Sequence, residues 1–106
     1  MAYWLQLDEV TVAPYLEALN LSPAGRERLE EVLQREIAEY ADMYIQNPER
    51  RLAPGSEWFR VDIVFRDPEH RDFYNLHFII SDAAAAHGVL RIIFVENRVV
   101  SPPELP

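Results

Sequence analysis

Three apolar stretches decide the fold: WFRVDIVFRD (residues 58–67), FYNLHFIISD (73–82) and GVLRIIFVEN (88–97). Each is nearly continuous in apolar residues or alternates between apolar and polar ones, which is the pattern of a β-strand. A charged turn separates the first two stretches, and a short Ala-rich loop separates the last two. The sequence therefore predicts three successive antiparallel strands, and the residues upstream are expected to cover one face of their sheet.

Alternation along each strand assigns its side chains to two faces, because neighbouring side chains point to opposite sides of a sheet. The predicted core face is the more aromatic and aliphatic one, and it consists of Phe59, Val61, Ile63, Phe65, Tyr74, Leu76, Phe78, Ile80, Leu90, Ile92 and Phe94. The opposite face has charged residues between apolar ones. We expect the helices to pack on the core face and to leave the opposite face uncovered.

The residues upstream of these stretches predict one short strand and two helices. Tyr3 to Leu7 is a short apolar run that we assign to an edge strand. Thr11 is a candidate N-cap for a short helix, which Asn20 ends. If Tyr3 to Leu7 did not form a strand, the sheet would be a three-stranded meander.

The longer helix has the clearest signals in the chain. Ser22 is a favoured N-cap residue, and Pro23 fits the first helical position because the N–H that it lacks would have no partner there. Pro48 ends the helix, since the residue before a proline avoids helical angles. Apolar residues recur between these limits at steps of three and four, at Leu29, Val32, Leu33, Ile37, Tyr40 and Tyr44.

Together these elements predict an α+β fold in the order β-α-α-β-β-β. A helical pair, one helix short and one long, packs on one face of an antiparallel sheet of three to four strands. Residues 1–96 form a single domain, and residues 97–106 form a Pro-rich C-terminal tail. The two adjacent prolines of the tail favour an extended conformation.

The composition limits the compartment and the partners. None of the 106 residues is Cys, which excludes disulfides and thiolate chemistry. No apolar run reaches the roughly 18 residues that a membrane span needs, so we expect a soluble, cytoplasmic protein without a membrane partner. The formal charge of −8 disfavours non-specific binding to nucleic acid and favours a basic protein partner.

The hairpin between the first two strands brings a polar cluster together. If its turn is symmetric, Asp62 lies opposite His77 and Arg60 lies opposite Ile79. An antiparallel third strand would add Arg91 near His77. An imidazole that is oriented by a carboxylate and flanked by guanidinium groups suits phosphodiester cleavage. The alternative is a cross-strand ion-pair network on an exposed face.

Seven apolar residues share the face that the helices are expected to leave uncovered: Trp58, Val64, Phe73, Ile79, Val89, Ile93 and Val95. An apolar patch of this size marks a surface that a partner covers. The C-terminal tail, a second copy or another protein could supply the cover. We therefore expect a homo-oligomer or a complex with a protein partner.

The chain has no strong catalytic or ligand motif. The single histidines His70, His77 and His87 have unrelated spacings and form no ligand pattern, so we expect no metal and no cofactor. The pair Arg50 and Arg51 lies in a loop that contains Pro and Gly, where arginines are usually solvated. Contact with a phosphate is the alternative for this pair.

The order of elements from Tyr3 to Glu96 and the phrases YWLQLDE, WFRVDIVFRD and GVLRIIFVEN carry a family resemblance. In both respects the chain resembles the RelE/ParE superfamily of small bacterial toxins, in which a helical pair covers one face of a sheet and the site lies on the other. The resemblance implies ribosome-dependent mRNA cleavage or gyrase poisoning, with an antitoxin as partner. It also implies that Arg60 or Arg66, His77 and Arg91 occupy positions like those of phosphate-binding and acid/base residues.

Two features depart from the nuclease branch of that superfamily, which is generally basic and often has a reactive Tyr or His near the end of the last strand. Here the net charge is −8, and Asn97 stands at that end. One hypothesis is a non-enzymatic interaction module that self-associates or binds a basic partner. The other is a toxin-like endoribonuclease of a toxin-antitoxin system, which acts through His77 with Arg60 and Arg91 and uses Asp62 to orient the imidazole.

Overall fold

A computed structural model of the chain describes residues 3–39, 41–47, 49, 51–53 and 55–98. The predicted α+β class is confirmed, since helices cover one face of a four-stranded sheet. The strands are β1 (Trp4–Leu7), β2 (Trp58–Arg66), β3 (Phe73–Ser81) and β4 (Val89–Asn97). The helices are α1 (Ala13–Ala18), α2 (Pro23–Leu33) and α3 (Ala41–Ile45), and a π-helical segment (Gln34–Glu39) lies between α2 and α3.

The sheet is mixed and has the strand order β1-β4-β3-β2. Strands β2, β3 and β4 are antiparallel neighbours, as predicted, whereas β1 pairs in parallel with β4. The prediction of a wholly antiparallel sheet was therefore wrong at β1. The helices return the chain to the end of the sheet where β1 began, so β2 runs in the direction of β1. The chain reverses its direction twice more, at the β2–β3 turn and the β3–β4 loop, so β4 also runs in the direction of β1. A parallel pair requires a crossover connection, which the helices between β1 and β2 supply.

The β2–β3 hairpin has the predicted register. Asp62 lies opposite His77, and Arg60 lies opposite Ile79. The same register holds over all nine residues of β2, from Trp58 to Arg66. The symmetric turn therefore sets the pairing of the two strands, as expected for a hairpin.

A β-bulge interrupts the β3–β4 pairing. Ile79 lies opposite Phe94, whereas the next residue, Ile80, lies opposite Ile92. Ile93 is therefore an extra residue in β4, and one extra residue reverses the alternation of the side chains that follow it. The rest of β4 consequently presents the opposite parity of side chains to the core.

This reversal overturns two predicted positions. Val95 is in the core, at 3% exposure, although it was predicted to lie on the uncovered face. Phe94 was predicted to lie in the core and is instead 43% exposed on the uncovered face. Both predictions continued a strict alternation through β4, which the bulge does not allow.

The core lies between the helices and the inner face of the sheet. Its β2 residues were all predicted correctly, and Tyr74 of β3 is partly rather than fully buried. Each fully buried Val, Leu, Ile or Phe stabilises a fold by about 1.5–3 kcal/mol relative to an exposed one. The buried cluster consists of Val12, Leu29, Val32, Leu33, Ile37, Ala41, Phe59, Val61, Ile63, Phe65, Leu76, Phe78, Ile80, Leu90, Ile92 and Val95.

The start of α1 differs from the prediction. Thr11 does not cap this helix, because Val12 occupies the N-cap position and makes no side-chain cap hydrogen bond. The Thr11 hydroxyl instead donates to the Ile93 carbonyl, at 2.7 Å. The Asp8 carboxylate organises this turn by accepting from the backbone N–H groups of Val10 and Thr11, at 2.9 and 2.8 Å. These hydrogen bonds lower the pKa of Asp8.

The predicted long helix is divided by the π-helical segment. The Tyr3 N–H donates to the Ala38 carbonyl at 3.0 Å, and the Tyr3 hydroxyl donates to the Asp42 carboxylate at 2.5 Å. An interrupted helical ladder frees backbone groups for partners outside the helix, and here the partner is the residue before β1. The prediction of one continuous helix was wrong at this segment. Predictions that fall on Tyr40, on the Tyr44 side chain, on Arg50 and on residues 99–106 lie outside the described residues.

Asp67 joins the start of α2 to the β2–β3 turn. Its buried carboxylate accepts hydrogen bonds from the Ser22 N–H and hydroxyl, at 2.8 and 2.5 Å, and from the N–H groups of Glu69 and His70, at 3.0 and 3.1 Å. Ser22 Oγ accepts from the Gly25 N–H at 2.9 Å, which confirms Ser22 as the N-cap. Burial alone would raise the pKa of Asp67, but the hydrogen bonds outweigh it and hold the pKa well below 3.8.

Gly25→Ala is expected to destabilise the protein. Replacing Gly by Ala within a helix normally has the opposite effect and stabilises the helix by about 1 kcal/mol. A Cβ at residue 25 would overlap the Asp67 carboxylate, which its hydrogen bonds hold in place. We expect the free energy of unfolding in urea to fall by about 1–3 kcal/mol. The control is Arg26→Ala, at the next and exposed position, with a change below about 0.5 kcal/mol. Unchanged or higher stability of Gly25→Ala would contradict this packing.

Ser22→Ala is expected to lower stability at neutral pH and to make it less dependent on pH in acid. A depressed folded-state pKa means that ionised Asp67 stabilises the fold above its ordinary pKa of 3.8, and that this contribution is lost as the pH falls further. Removal of the Ser22 hydroxyl removes one of the hydrogen bonds that lower the pKa of Asp67 in the folded state, so this pKa moves closer to its unfolded value. The gap in unfolding free energy between wild type and Ser22→Ala should therefore narrow from about pH 6 to about pH 2 in urea titrations. A gap that stays constant would argue against Asp67 as the titrating group.

Candidate functional site on the open face of the sheet

We call the face of the sheet opposite the helices the open face. Apolar and charged side chains alternate with one another on it. Five large apolar side chains on this face are between 43% and 75% exposed: Trp4, Trp58, Val64, Phe73 and Phe94. Among the described residues, these make up most of the large apolar side chains that remain exposed. The apolar surface that folding leaves uncovered is therefore concentrated on one side of the sheet.

The predicted apolar patch is present with altered membership. Trp58, Val64 and Phe73 are exposed on the open face as predicted, and Ile79, Val89 and Ile93 are partly buried. Val95 belongs to the core instead. Trp4 and Phe94 also belong to this patch, although neither was predicted there. Trp4 had a readable signal in the sequence, because alternation in the predicted first strand places it on the face opposite to Leu5. In the structure it lies opposite Val89 of β4.

His77 and Asp62 form a close pair in the middle of the open face. His77 Nδ1 lies 2.5 Å from Asp62 Oδ1. His77 is only 5% exposed, although no described helix covers this face, because Asp62 of β2 and Glu96 of β4 flank it. Arg60 is a diagonal neighbour of His77, at a Cα separation of about 7–8 Å. Three of the four predicted site residues are therefore brought together.

Arg91 is not part of this cluster. It lies opposite Ser81, four residues from His77 along β3, which corresponds to an offset of about 13 Å. Glu96 is the residue of β4 that lies opposite His77. The loop between β3 and β4 sets this register, and its short 3-10 helix ends at Gly88 with φ of 76°. The prediction that Arg91 lies near His77 was therefore wrong.

The environment of the His77–Asp62 pair limits its chemistry. A general base must come within hydrogen-bond distance of the proton that it removes. The His77 side chain is 7% exposed, whereas the Asp62 side chain is 61% exposed. The surface therefore offers a carboxylate to a ligand more readily than an imidazole, and the pair is better suited to linking β2 to β3 than to reaching a substrate.

Arg51 has a structural role that the sequence did not indicate. Its Nη2 lies 2.6 Å from Asp82 Oδ2 and donates to the Ile45 carbonyl at 2.7 Å. The guanidinium group also lies over the Phe59 ring, 5.7 Å from the centroid. Both charged side chains are mostly buried, so the expectation that Arg51 is solvated was wrong. The ion pair ties the loop after α3 to the start of the β3–β4 connection.

Charge is divided between the two layers. Residues 8–49, which include the helices, contain ten carboxylates and three arginines and so hold seven of the eight net negative charges. The open face has nearly equal numbers of positive and negative groups, since it carries Arg60, Arg66 and Arg91 together with Asp62 and Glu96. The guanidinium of Arg66 lies over the Phe73 ring, 5.2 Å from its centroid. The surroundings of the apolar patch are therefore not acidic, whereas the helical layer is.

Within the described ranges, no group of three or more His, Asp or Glu side chains is placed to hold a metal ion. The helices of those ranges are also too short or too polar to cross a membrane.

Comparison with models of known protein families, with curated protein sequences and with solved structures finds no match to this chain. The resemblance to the RelE/ParE superfamily therefore stays a prediction.

Proposed function

We propose that this chain is a non-enzymatic protein-interaction domain that self-associates through the open face of its sheet. The observation that carries the proposal is the exposure of Trp4, Trp58, Val64, Phe73 and Phe94 on one face. Exposed apolar side chains that are concentrated on one face and surrounded by polar residues mark an interaction surface. Four of these five side chains are aromatic, and Arg60, Arg66 and Arg91 lie on the same face; both residue types are enriched at protein interfaces.

The size of the open face is adequate for a dimer. Three strands of nine residues and one of four, at strand spacings of about 4.8 Å and rises of about 3.3 Å, give a projected area of about 500 Å². Two such faces would bury about 1,000 Å² in total, which is near the lower limit for a specific interface. Packed sheets lie about 10 Å apart, a distance that the aromatic side chains of both copies can fill.

The charges of the open face support pairing with an identical copy. In a two-fold symmetric interface the same surface patch contacts itself, so that patch must contain both signs of charge. Arg60 and Arg91 are exposed on the open face together with Asp62 and Glu96. Arginines of one copy can therefore meet carboxylates of the other around the apolar residues, and such complementarity gives specificity.

Val64→Glu is expected to weaken self-association, because it places a charge on the exposed apolar surface of β2, diagonally next to Phe73. Val64 is 66% exposed, so the substitution should leave the fold intact. Sedimentation equilibrium over a concentration series should give a dimer for the wild type and a dissociation constant at least about ten-fold higher for the variant, a loss of about 1.4 kcal/mol.

Met43→Glu is the matched control for this experiment. Met43 is 69% exposed, and it lies on α3 in the other layer, so the same charge is added away from the open face. Its dissociation constant should equal that of the wild type. A wild-type protein that remains monomeric at the highest concentration, or equal effects of the two substitutions, would refute self-association through this face.

A toxin-like endoribonuclease is the second candidate, and the His77–Asp62 pair with Arg60 nearby is the observation that favours it. Three observations place it second. His77 is buried, Arg91 lies about 13 Å away along the strand, and the net charge of −8 opposes docking on ribosomal RNA. The superfamily resemblance is compatible with either candidate, because one fold can serve unrelated functions.

Cell-free protein synthesis separates the two candidates. With the purified wild type titrated in, we expect no dose-dependent arrest of translation and no cleaved message. Arg60→Ala is the comparison variant, since Arg60 is exposed and its loss should not unfold the sheet. Arrest by the wild type that Arg60→Ala abolishes would establish the nuclease and would replace the interaction domain as the function of the open face.

A further inference from the structure

The helical layer has a second candidate surface, distinct from the open face. An open groove of about 280 Å³ runs between α1 and α2 and reaches the end of β1. Its apolar lining includes Leu7, Leu16, Leu21, Leu29 and Leu33. On α2, Leu29 and Leu33 are one helical turn apart and therefore share a face. The groove is open because α1 is six residues long and buries none of them fully.

The polar groups that line the groove are mostly acidic. Glu17 of α1 lies on one side, and Glu30 and Arg26 of α2 lie on the other. A shallower depression continues from Leu21 and Arg26 and adds Glu27. The groove and the depression together are therefore lined by three carboxylates and one arginine. They lie in the half of the chain that holds most of the negative charge.

We propose that this groove binds a basic amphipathic segment of a partner protein. Apolar side chains of the segment enter between α1 and α2, and flanking Lys or Arg residues pair with Glu17, Glu27 and Glu30. Helices with apolar residues three and four positions apart commonly bind such grooves. This is a different site and a different partner from the self-association proposed for the open face.

Three alternative occupants fit less well. Small-molecule pockets are typically about 300–1,000 Å³ and enclose their ligand, whereas this groove is smaller and open. A second copy would bring an equally acidic helical layer, which the groove repels. The last residues of the chain, VVSPPELP (99–106), contain no basic residue and one glutamate, so they lack the charge that the groove favours.

The test uses the full chain and a short fluorescent probe peptide made of Leu and Lys, patterned as an amphipathic helix. Its partner probe has the same pattern with Glu in place of Lys. Fluorescence anisotropy at physiological salt should show micromolar binding of the Lys peptide and at least about ten-fold weaker binding of the Glu peptide. Equal binding of both peptides, or none of the Lys peptide, would overturn the proposal.

Two pairs of variants separate the groove from general electrostatic attraction. Glu30→Arg should weaken binding of the Lys peptide at least about ten-fold, whereas Glu39→Arg changes the net charge equally, does not line the groove and should weaken it less than about two-fold. Ala13→Met should fill the groove and also weaken binding, whereas Ala86→Met, at an exposed position in the β3–β4 loop that does not line the groove, should leave binding unchanged. Equal effects of Glu30→Arg and Glu39→Arg, or wild-type affinity of Ala13→Met, would overturn the assignment to the groove.

Discussion

The buried carboxylate of Asp67 is the constraint on which the rest of the structure depends. A buried charge is costly unless hydrogen bonds replace its lost hydration. Ser22, at the start of α2, and the backbone of the β2–β3 turn supply those hydrogen bonds. One side chain thus fixes where α2 begins and how the hairpin turns, and Gly25 lets the helix approach it. With α2 held there, the inner face of the sheet is covered and the open face is left.

The two apolar faces of the sheet then have different roles. The inner face packs against the helices and forms the core. On the open face, the His77–Asp62 pair lies between the apolar side chains. A slip of one residue between β2 and β3 would exchange the two faces of a strand and bring Asp62 into the core. The pair therefore helps to specify the register of the hairpin, which is a sufficient reason for it to exist without a substrate.

The sequence predicted correctly those strands in which every second residue is apolar and the residues between are mostly polar. In β2, apolar residues alternate with Arg60, Asp62 and Arg66, and both faces followed from that pattern, whereas the register followed from the symmetric turn. In β4, both parities are apolar around Ile93, so alternation could not reveal the bulge or the exchange of Phe94 and Val95.

Other errors arose where tertiary contacts decide the outcome. The direction of the short strand β1 follows from the path of the helices, and the distance of Arg91 from His77 follows from the β3–β4 loop. Asp67 was readable only as a turn residue, since its burial depends on packing against α2.

The acidic helical layer also has an effect at a distance, because a molecule with most of its negative charge on one side has an electric dipole across its sheet. Two copies that approach within about a Debye length, about 8 Å at physiological salt, experience a torque that turns their helical layers apart and their open faces together. The helical layer would thus favour the orientation that the proposed self-association requires, although it takes no part in the proposed contact.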